Sequence, residues 1–535
     1  MFSKVNSFGI HGVEGFPVTV EADVSDGLPS FVMVGYLSGE VREAQERVRT
    51  ALKNSGHRLP PRRVTINLSP ADIKKEGTAY DLAIAAAVLC SLGEISPENQ
   101  EKIDEWAFIG ELGLDGSVKP VPGVLSRVFE ACRRGIKRVF LPIDNVPEGK
   151  NIRNVENTGV SSVAEVAAYL RNDERIGGGI SKESETAAVS EVSGQSGAAA
   201  VNLSDGGKPE ELWDVDFDEI VGLPVVRRAC EAAAAGKHNI LFIGPAGTGK
   251  TMAARRLPTI LPPMNLAECM EVSKIYSICG LLNREKPLIR MRPFRSPHHS
   301  ITAQALAGGG RTPMPGEISL ASRGVLFLDE LAEFPPWLLD LLRQPMEEGT
   351  ITVSRMGGTV SFPAAPLIAA AMNPCKCGFY PDLSRCRCTE PQIRRYLSRI
   401  SGPFLDRMDL GVEGPRQDLR DTGKRRKGES SNVMRERILE ARERQEERVK
   451  NTEFPFWNSQ MNRSQICEFC VLTAADHQFL EEVCEKLGFS IRGRDKILRV
   501  ARTLADLDGV KEIGKGQLSE AIAFRTFEQK YWSSL

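Results

Sequence analysis

Apolar and polar residues follow two different periods along the first 170 residues of the chain. Runs rich in β-branched and aromatic residues, typical of strands, are FPVTVEADV, RRVTINL and RVFLPI. Residues 41–54, 81–92 and 124–134 instead show helical patterns. We therefore expect residues 1–170 to form an α+β domain. Within it, Leu82–Leu92 is the most apolar stretch, yet it is too short to cross a bilayer and predicts a buried helix.

The composition changes at residue 171. Residues 171–211 are rich in glycine, serine, alanine and glutamate, as in GGGISKESETAAVSEVSGQSGAAA. Such a stretch has too few apolar side chains to offset the conformational entropy that ordering would cost. We interpret it as a flexible linker between two domains.

Two further blocks follow this linker. Residues 212–431 combine amphipathic helices with apolar runs that predict buried strands, namely NILFIG, GVLFLDE and APLIAAAMN. Residues 432–535 contain helical patterns, namely VMRERILEARERQEERV, AADHQFLEEVCEKLG, RDKILRVARTLADLDG and QLSEAIAFRTFEQKYW. The sequence therefore predicts an α/β core followed by an all-helical domain.

Overall composition excludes few function classes. The chain is 41% hydrophobic and 26% charged with a net charge of -1, so no global field points to nucleic acid or to a membrane surface. Because the N-terminus has no apolar segment of the kind that secretion signals require, we expect a cytoplasmic location and no membrane partner. Thiols stay reduced there, so the twelve cysteines do not predict a disulfide framework.

A glycine-rich segment follows the predicted strand NILFI and precedes a predicted helix at MAARRL. It fits the phosphate-binding pattern G-x-x-x-x-G-K-[ST] in full, with the residues Gly244, Pro245, Ala246, Gly247, Thr248, Gly249, Lys250 and Thr251. Glycines let backbone N–H groups approach phosphate oxygens, and the helix N-terminus adds a favourable dipole. We expect Lys250 to reach the β- and γ-phosphates and the hydroxyl of Thr251 to hold Mg²⁺.

Polar side chains end two other predicted strands. GVLFLDE ends in Asp329, expected in the Mg²⁺ shell, and in Glu330, expected to orient and deprotonate the attacking water. Asn373 ends APLIAAAMN, and in a parallel sheet it would lie beside that acidic pair. An amide there can hold the attacking water, although an asparagine before Pro374 also suits an ordinary turn. Together these motifs predict ATP hydrolysis.

Longer segments carry a resemblance to a known family. RPFRSPHHS, AGGG, PGEISLASRGVLFLDELAEF, LLRQPMEEG and AMNPCKCG resemble the magnesium-chelatase-like AAA+ proteins of the ComM/YifB family over essentially the whole chain. The resemblance implies an AAA+ P-loop core with a parallel sheet between helices, a Lon-protease-like α+β N-terminal domain and an all-helical C-terminal lid. It also implies ATP and Mg²⁺ as cofactors and a homo-hexameric ring that acts on DNA, single-stranded or branched, in natural transformation.

The resemblance also implies roles for Asn373 and for two arginines. Asn373 matches the position that senses the γ-phosphate, and Arg407 in GPFLDRMDL matches the arginine finger that enters the neighbouring subunit's ATP site. Arg492 in FSIRGRDKILRV matches the lid arginine known as sensor 2, with Arg494 two residues away as the alternative. A finger supplied by a neighbour would make a lone subunit a poor ATPase.

The N-terminal segments NLSPADIKKEGTAYDL and GELGLDGSVKPVPGVLSRVFEACRRGIKRVFLP resemble the Lon proteolytic domain, which uses a Ser-Lys dyad. Where the nucleophile would follow the Glu-Gly pair, this chain has Thr78 and Ala79, and Leu125 stands where the lysine belongs. No spacing argument supports Lys74 or Lys75 as substitutes. We therefore expect a domain without peptidase activity.

Two other segments carry polar side chains without a defined chemistry. TVSRMGGTV predicts a β-hairpin with Gly357-Gly358 in its turn, so Arg355 either meets a phosphate backbone in a central pore or is simply exposed. His298 and His299 are adjacent and lack the helical spacing of a metal pair. We interpret them as part of a structural or substrate-contacting loop.

Four cysteines follow Asn373 directly. Cys375, Cys377, Cys386 and Cys388 form the pattern C-x-C-x8-C-x-C. Four thiolates complete the tetrahedral shell of a structural Zn²⁺, although the spacing is tighter than usual and free thiols in a mobile loop remain the alternative. The intervening GFYPDLSR has little apolar surface, so a metal would supply ordering energy that burial cannot. We expect this zinc to fix the chain after Asn373 and the helix QIRRYLSR that follows.

Three functions compete on this sequence. The first is an ATP-driven DNA motor, a helicase or branch-migration enzyme. The second is a chelatase-type ATPase that remodels a protein or metal-porphyrin partner, which the fused Lon-like domain disfavours. The third is a Lon-like peptidase, which the missing dyad disfavours. We therefore expect the first.

Overall fold

The computed structural model describes residues 1–172, 214–283, 285–355, 358–414, 428–450 and 456–532. The predicted linker, apart from Arg171 and Asn172, lies outside these described residues. The chain folds around two main sheets, one in the N-terminal region and one between residues 240 and 413.

The N-terminal region contains one seven-stranded mixed sheet in the order β3-β4-β2-β1-β5-β8-β9, with a small ribbon formed by β6 and β7. Its strands are β1 (Phe2–His11), β2 (Glu14–Ser25), β3 (Ser30–Val34), β4 (Arg63–Ser69), β5 (Trp106–Phe108), β6 (Glu111–Leu112), β7 (Val118–Lys119), β8 (Arg138–Pro142) and β9 (Glu156–Val160). Its helices are α1 (Gly39–Asn54), α2 (Asp81–Ser91), α3 (Pro97–Lys102), α4 (Val124–Arg133), α5 (Val146–Gly149) and α6 (Val163–Arg171).

Burial explains why these segments form these elements. Every second residue of β2 is buried from Phe16 to Val24, as the alternating pattern requires of a strand with one face on the core. All eleven residues of α2 are buried, which agrees with the predicted buried helix. Neither α2 nor any other helix in the described part of the chain has the length and apolarity needed to cross a membrane.

The central region is a P-loop α/β fold built on a five-stranded sheet in the order β11-β14-β17-β10-β18. Its strands are β10 (Ile240–Ile243), β11 (Phe294–Arg295), β12 (Gly308–Gly309), β13 (Met314–Pro315), β14 (Val325–Leu328), β15 (Thr350–Arg355), β16 (Gly358–Pro363), β17 (Leu367–Met372) and β18 (Leu410–Glu413). Its helices are α7 (Pro224–Gly236), α8 (Lys250–Ile260), α9 (Leu266–Ile278), α10 (Ala303–Ala307), α11 (Glu317–Leu320), α12 (Pro336–Asp340), α13 (Arg343–Glu348), α14 (Glu390–Leu397) and α15 (Gly402–Leu405).

All neighbouring strands of this central sheet run parallel. Strands β10, β14 and β17 are buried along their whole length, which is why they read as continuous apolar runs without alternation. Because β17 lies between β14 and β10, the carboxyl ends of these three strands meet at one edge of the sheet. That edge carries the residues predicted to bind ATP.

The C-terminal region is helical, as predicted. Its helices are α16 (Ser431–Val449), α17 (Arg463–Phe469), α18 (Ala474–Leu487), α19 (Ile491–Leu507), α20 (Lys515–Ala523) and α21 (Phe527–Tyr531). The segment QLSEAIAFRTFEQKYW does not form the single helix its pattern suggests, because the chain breaks between α20 and α21. At the break Arg525 is buried, and its guanidinium donates to the carbonyl of Met408 and to Glu528. The break lets α21 return to the central sheet, where Phe527 packs on Gly411.

The N-terminal region contacts the central region through α9. Lys274 on α9 pairs with Glu14 at 2.9 Å, and its ammonium lies 4.2 Å from the centre of the Phe129 ring. One turn further on, the hydroxyl of Ser277 donates to the half-buried carboxylate of Glu148. These contacts attach the N-terminal sheet to the element that precedes the histidine-containing loop.

Candidate nucleotide site and cysteine cluster

The P-loop joins the end of β10 to the start of α8, as its motif predicts. Gly247 and Gly249 have φ angles of +79° and +81°, a left-handed conformation that glycine adopts without strain. The loop borders a cavity of 690 Å³, within the range of ligand pockets. Thr251, Asp329, Glu330 and Asn373 also line this cavity, so the structure brings these predicted residues together.

The ammonium of Lys250 lies at the centre of this group. It donates hydrogen bonds to the carbonyl oxygens of Gly244 and Pro245, both at 2.7 Å, and to the side-chain oxygen of Asn373 at 3.2 Å. Burial lowers the pKa of Lys250, and the nearby Asp329 opposes that shift. Because its three acceptors are neutral, the ammonium is not neutralised by direct contact, and an anionic phosphate fits beside it.

The predicted magnesium ligands are in mutual contact. The hydroxyl of Thr251 donates to the carboxylate of Asp329 at 3.0 Å, so the two oxygens can share one cation. The next residue, Glu330, has a φ of 52°, a strained backbone for a non-glycine residue of the kind found at functional sites. Its side chain is 66% exposed, and a carboxylate oxygen lies 3.5 Å from Nδ1 of His299.

Sequence reasoning missed three residues of this site. Tyr396 and Glu333 line the cavity, and His299 contacts Glu330. Burial raises the pKa of Tyr396 to about 12, partly opposed by the backbone amide of Asn373. Tyr396 is a polar residue on the buried face of an amphipathic helix, and that pattern was the only local signal that could have revealed it.

The two arginines that the resemblance singled out, Arg407 and Arg492, lie away from the P-loop of their own chain. Arg407 and Arg492 line a second cavity of 470 Å³ and do not line the cavity over the P-loop. Arg407 donates to the carbonyl of Pro403 at 2.7 Å and to the carboxylate of Glu347. Arg492 is 76% exposed and lies 3.3 Å from Asp406.

The alternative lid residue, Arg494, lies 3.3 Å from His477. Like Arg492, it does not line the cavity over the P-loop. Neither candidate for the lid arginine therefore lines the ATP cavity of its own chain.

The N-terminal residues at the positions of a peptidase dyad, and the lysines near them, are buried or contact acidic side chains. Leu125 is fully buried in an apolar cluster, and its backbone N–H donates to Glu148 at 2.7 Å. The hydroxyl of Thr78 donates to Glu111, and Lys74 pairs with Glu76 at 2.6 Å. Lys75 is buried, which lowers its pKa. No Thr78–Lys75 hydrogen bond occurs among the described residues.

The predicted hairpin is present as β15 paired antiparallel with β16. In this pairing Gly358 lies opposite Arg355 as the first residue of the second strand, so it does not belong to the turn as predicted, while Met356 and Gly357 fall outside the described residues. The second strand of the hairpin lies close to the N-terminal region, since a Cβ atom added at Gly12 would contact the side chain of Val360.

The four predicted cysteines converge. Their sulfur atoms all lie within 4.8 Å of one another, with separations of 3.4 Å between Cys375 and Cys377, 3.7 Å between Cys375 and Cys386, and 3.5 Å between Cys377 and Cys386. A tetrahedral ion bound at about 2.3 Å holds its sulfurs about 3.8 Å apart. The spacing of these thiols therefore fits a zinc ion at their centre, and the cysteines are unpaired by disulfides.

The cysteine loop contacts the nucleotide site on two sides. Gly378 lies against the P-loop, because a Cβ atom added at this glycine would be 3.4 Å from the Cα of Pro245. After the loop, α14 carries Tyr396 into the nucleotide cavity. Arg399, just beyond α14, donates to the carbonyl of Ala332 at 3.1 Å and to Glu333 at 2.9 Å, in the segment that follows Glu330.

Comparison with known proteins agrees with this fold and site. Three family profiles match: "Subunit ChlI of Mg-chelatase" over residues 20–145, "Magnesium chelatase, subunit ChlI" over residues 216–422, and "Magnesium chelatase, subunit ChlI C-terminal" over residues 428–525. The fold and the P-loop site together define a magnesium-chelatase-like AAA+ protein.

Full-length relatives narrow this class. The chain is 39% identical to the competence protein ComM of Haemophilus influenzae, with 96% of this chain and 95% of the relative covered. It is also 39% identical to YifB of Escherichia coli, with 98% and 97% covered. The chain belongs to the ComM/YifB family of magnesium-chelatase-like proteins. Membership implies ATP and Mg²⁺ as cofactors.

Proposed function

We propose that this protein is an ATP-hydrolysing AAA+ ring motor that acts on DNA, as a helicase or branch-migration enzyme in natural transformation or recombination. The hydrolytic part is carried by one observation: Lys250, Asn373 and the Thr251–Asp329 pair meet around a single cavity. The DNA part is supported by the near full-length similarity to a protein named for competence.

Each side chain has a role in this proposal. Lys250 binds the β- and γ-phosphates, while Thr251 and Asp329 hold Mg²⁺, which would neutralise charge on the phosphate oxygens. Glu330, exposed at the edge of the cavity, accepts a proton from the attacking water. Asn373 orients that water, because its hydrogen bond with Lys250 holds its amide beside the phosphate-binding cation.

We further propose that Arg407 and Arg492 both act on the neighbouring subunit of a homo-hexameric ring. They share one cavity that is separate from the P-loop of their own chain. Arg407 pairs with Glu347 in the single chain, so it would exchange that carboxylate for the neighbour's phosphate on assembly. This arrangement would make hydrolysis depend on the ring.

The cysteine cluster is proposed as a structural zinc site. Four thiolates leave no open coordination position, so the ion would order the loop without taking part in catalysis. It would fix Gly378 against the P-loop and set the start of α14. The zinc would therefore stabilise the ATP site through the P-loop contact and through the position of α14.

The decisive test measures the steady-state ATPase rate of the purified full-length protein alone and with single-stranded, duplex or branched DNA. We expect stimulation, greatest with single-stranded or branched DNA, and none in a Glu330→Gln control. Hydrolysis that no DNA accelerates would reject the DNA motor. It would favour the alternative, a chelatase-type ATPase that remodels a protein or metal-porphyrin partner, which the matches to magnesium chelatase support.

A further inference from the structure

We propose that the outer surface of the cysteine loop and of α14 is a binding site for the phosphate backbone of nucleic acid. This basic face consists of Lys376, Arg387, Arg394 and Arg395, all of which are exposed. The proposal rests on the proposed action on DNA, and it assigns that action to a specific surface.

The geometry of the thiol cluster explains why two of these cations point outward. In each C-x-C arm both cysteines direct their sulfurs to the common centre, and the side chain of the residue between them is exposed. That residue is Lys376 in the first arm and Arg387 in the second. Backbone N–H groups in each arm face sulfurs of the other, since Arg387 donates toward Cys377 and Cys377 toward Cys388. The two arms that carry these cations are therefore adjacent.

The charge of this segment contrasts with the rest of the chain. Residues 374–399 carry six lysines and arginines against two acidic residues, whereas the whole chain has a net charge of -1. Four thiolates around Zn²⁺ would contribute a net charge of about -2, but the sulfurs lie inside the loop while the cations stand outside. A local excess of positive charge therefore remains at the surface.

Three of the six cations in this segment form no ion pair among the described residues, while Arg399 pairs with Glu333 at 2.9 Å. Arg385 pairs with Asp382, and Arg394 pairs with Glu390 at 2.8 Å. In the part of the chain that the structure describes, Lys376, Arg387 and Arg395 take part in no ion pair within 4 Å. Unpaired cations on a short, metal-ordered loop are suited to phosphate groups, which carry one charge per nucleotide.

The opposite face of α14 connects this surface to the ATP site. Arg394 and Arg395 point to solvent, while Tyr396 on the same helix lines the nucleotide cavity. Arg399 then holds the segment that follows Glu330. A nucleic acid bound to the basic face would thus act directly on the element that positions the catalytic segment.

The test compares the wild-type protein with a Lys376→Gln/Arg387→Gln/Arg395→Gln variant in binding a fluorescent single-stranded oligonucleotide. Each phosphate contact contributes about 0.7 to the slope of log affinity against log salt. We expect the slope of the variant to be smaller by about 2 and its affinity at 0.1 M salt to be lower by about a hundredfold. The matched control, Arg49→Gln/Lys53→Gln/Lys102→Gln, removes three exposed cations from α1 and α3 and should bind as the wild type does.

Folding and assembly are checked in the same samples by metal content, basal ATPase rate and ring size. A variant with these properties intact, weaker DNA binding and little stimulation by DNA supports the proposal. Unchanged binding and salt slope in the variant would overturn it while leaving the DNA motor in place, as would a loss of the ring in that variant alone. A wild-type protein that binds no DNA would reject both the basic face and the proposed function.

Discussion

The ammonium of Lys250 donates a 3.2 Å hydrogen bond to the side-chain oxygen of Asn373, across 123 positions of sequence. The contact forms because β10 and β17 are adjacent parallel strands, with Ile243 paired to Met372, so the residues after both strands share one edge. The cation predicted to bind phosphate and the amide predicted to orient water are thus coupled before any substrate binds. Removing either partner should perturb the other.

Substitutions of Lys250 and Glu330, two charged residues of the ATP site, should have different effects on nucleotide binding and hydrolysis. Lys250→Ala removes the cation that faces the phosphates, so nucleotide binding and hydrolysis should both be lost. Glu330→Gln removes only proton acceptance, so ATP should bind normally while hydrolysis falls by on the order of 10²–10⁴. Equilibrium binding of a fluorescent ATP analogue and the steady-state phosphate release rate measure the two effects separately.

Glu333→Gln is the matched control, because Glu333 lines the same cavity but pairs with Arg399. It should retain a much higher rate than Glu330→Gln. Equal loss of nucleotide binding in Lys250→Ala and Glu330→Gln would contradict this division of roles.

The sequence predicted the P-loop and its flanking strands because these signals are local. A glycine-rich turn between an apolar strand and a helix defines its own geometry, and a run of buried residues such as Leu367–Met372 can only be a central strand or a buried helix. The neighbourhood of Asp329 and Asn373 then followed from the rule that parallel strands end at one edge.

The positions of residues that depend on contacts between distant parts of the chain could not be predicted as well from the sequence. The positions of Arg492 and Tyr396 depend on how helices pack against the sheet, which no local pattern records. The break after Ala523 was also missed, because Arg525 is buried by contacts with Met408 and Glu528 that arise only in the folded chain. Similarly, nothing in the pair of histidines indicated that His299 would lie against Glu330.

Mixing experiments can locate the action of the two arginines. Arg407→Ala subunits should be nearly inactive alone but should regain turnover when mixed with Lys250→Ala subunits, because some interfaces then combine an intact P-loop with an intact arginine. If Arg492 also acts on the neighbour, as its cavity suggests, Arg492→Ala should show the same recovery.

A lid arginine acting on its own chain gives a different result. No subunit in an Arg492→Ala and Lys250→Ala mixture would then carry both intact groups, and activity would stay low. Co-assembly is verified by differently tagged subunits, and Arg494→Ala serves as the neighbouring control. Absence of recovery for Arg407 in verified mixed rings would contradict its assignment as the finger.

A buried ion pair should stabilise the contact between lid and core. Asp409, just before β18, pairs with Lys496 of α19 at 2.9 Å, and both side chains are nearly inaccessible. Burial alone would raise the pKa of Asp409, but Lys496 and His238 hold it well below its usual range. Asp409→Asn leaves the ammonium buried and unpaired, so it should lower the free energy of unfolding by about 3–5 kcal/mol.

The pH dependence of this effect has a defined sign. Because the pKa of Asp409 is depressed in the folded state, its contribution is fully present above the unfolded value of about 3.9 and is lost as pH falls toward the folded value. The difference in calorimetric unfolding midpoint between wild type and Asp409→Asn should be constant from pH 5 to 7, and should shrink below about pH 4. Lys496→Met added to Asp409→Asn should restore part of the loss, whereas Glu390→Gln at an exposed pair should change little.

The metal content of the cysteine cluster can be measured directly. We expect about one zinc per subunit by elemental analysis of protein purified without chelators. Cys386→Ser/Cys388→Ser should lose the metal, while Cys467→Ser/Cys484→Ser, at two thiols outside the cluster, should retain it.

Loss of the metal should also impair the ATP site. Without zinc, the loop no longer fixes Gly378 against Pro245, and α14 loses the anchor that places Tyr396 in the cavity. The Cys386→Ser/Cys388→Ser variant should therefore hydrolyse ATP more slowly and unfold at a lower temperature than the Cys467→Ser/Cys484→Ser control. Arg399→Ala should reproduce the slower hydrolysis with the zinc still bound, because it removes the hydrogen bonds to both the carbonyl of Ala332 and Glu333 and so releases the segment after Glu330 without touching the thiols. Metal-free protein that is fully active would show instead that the four thiols are free and that α14 is held by packing alone.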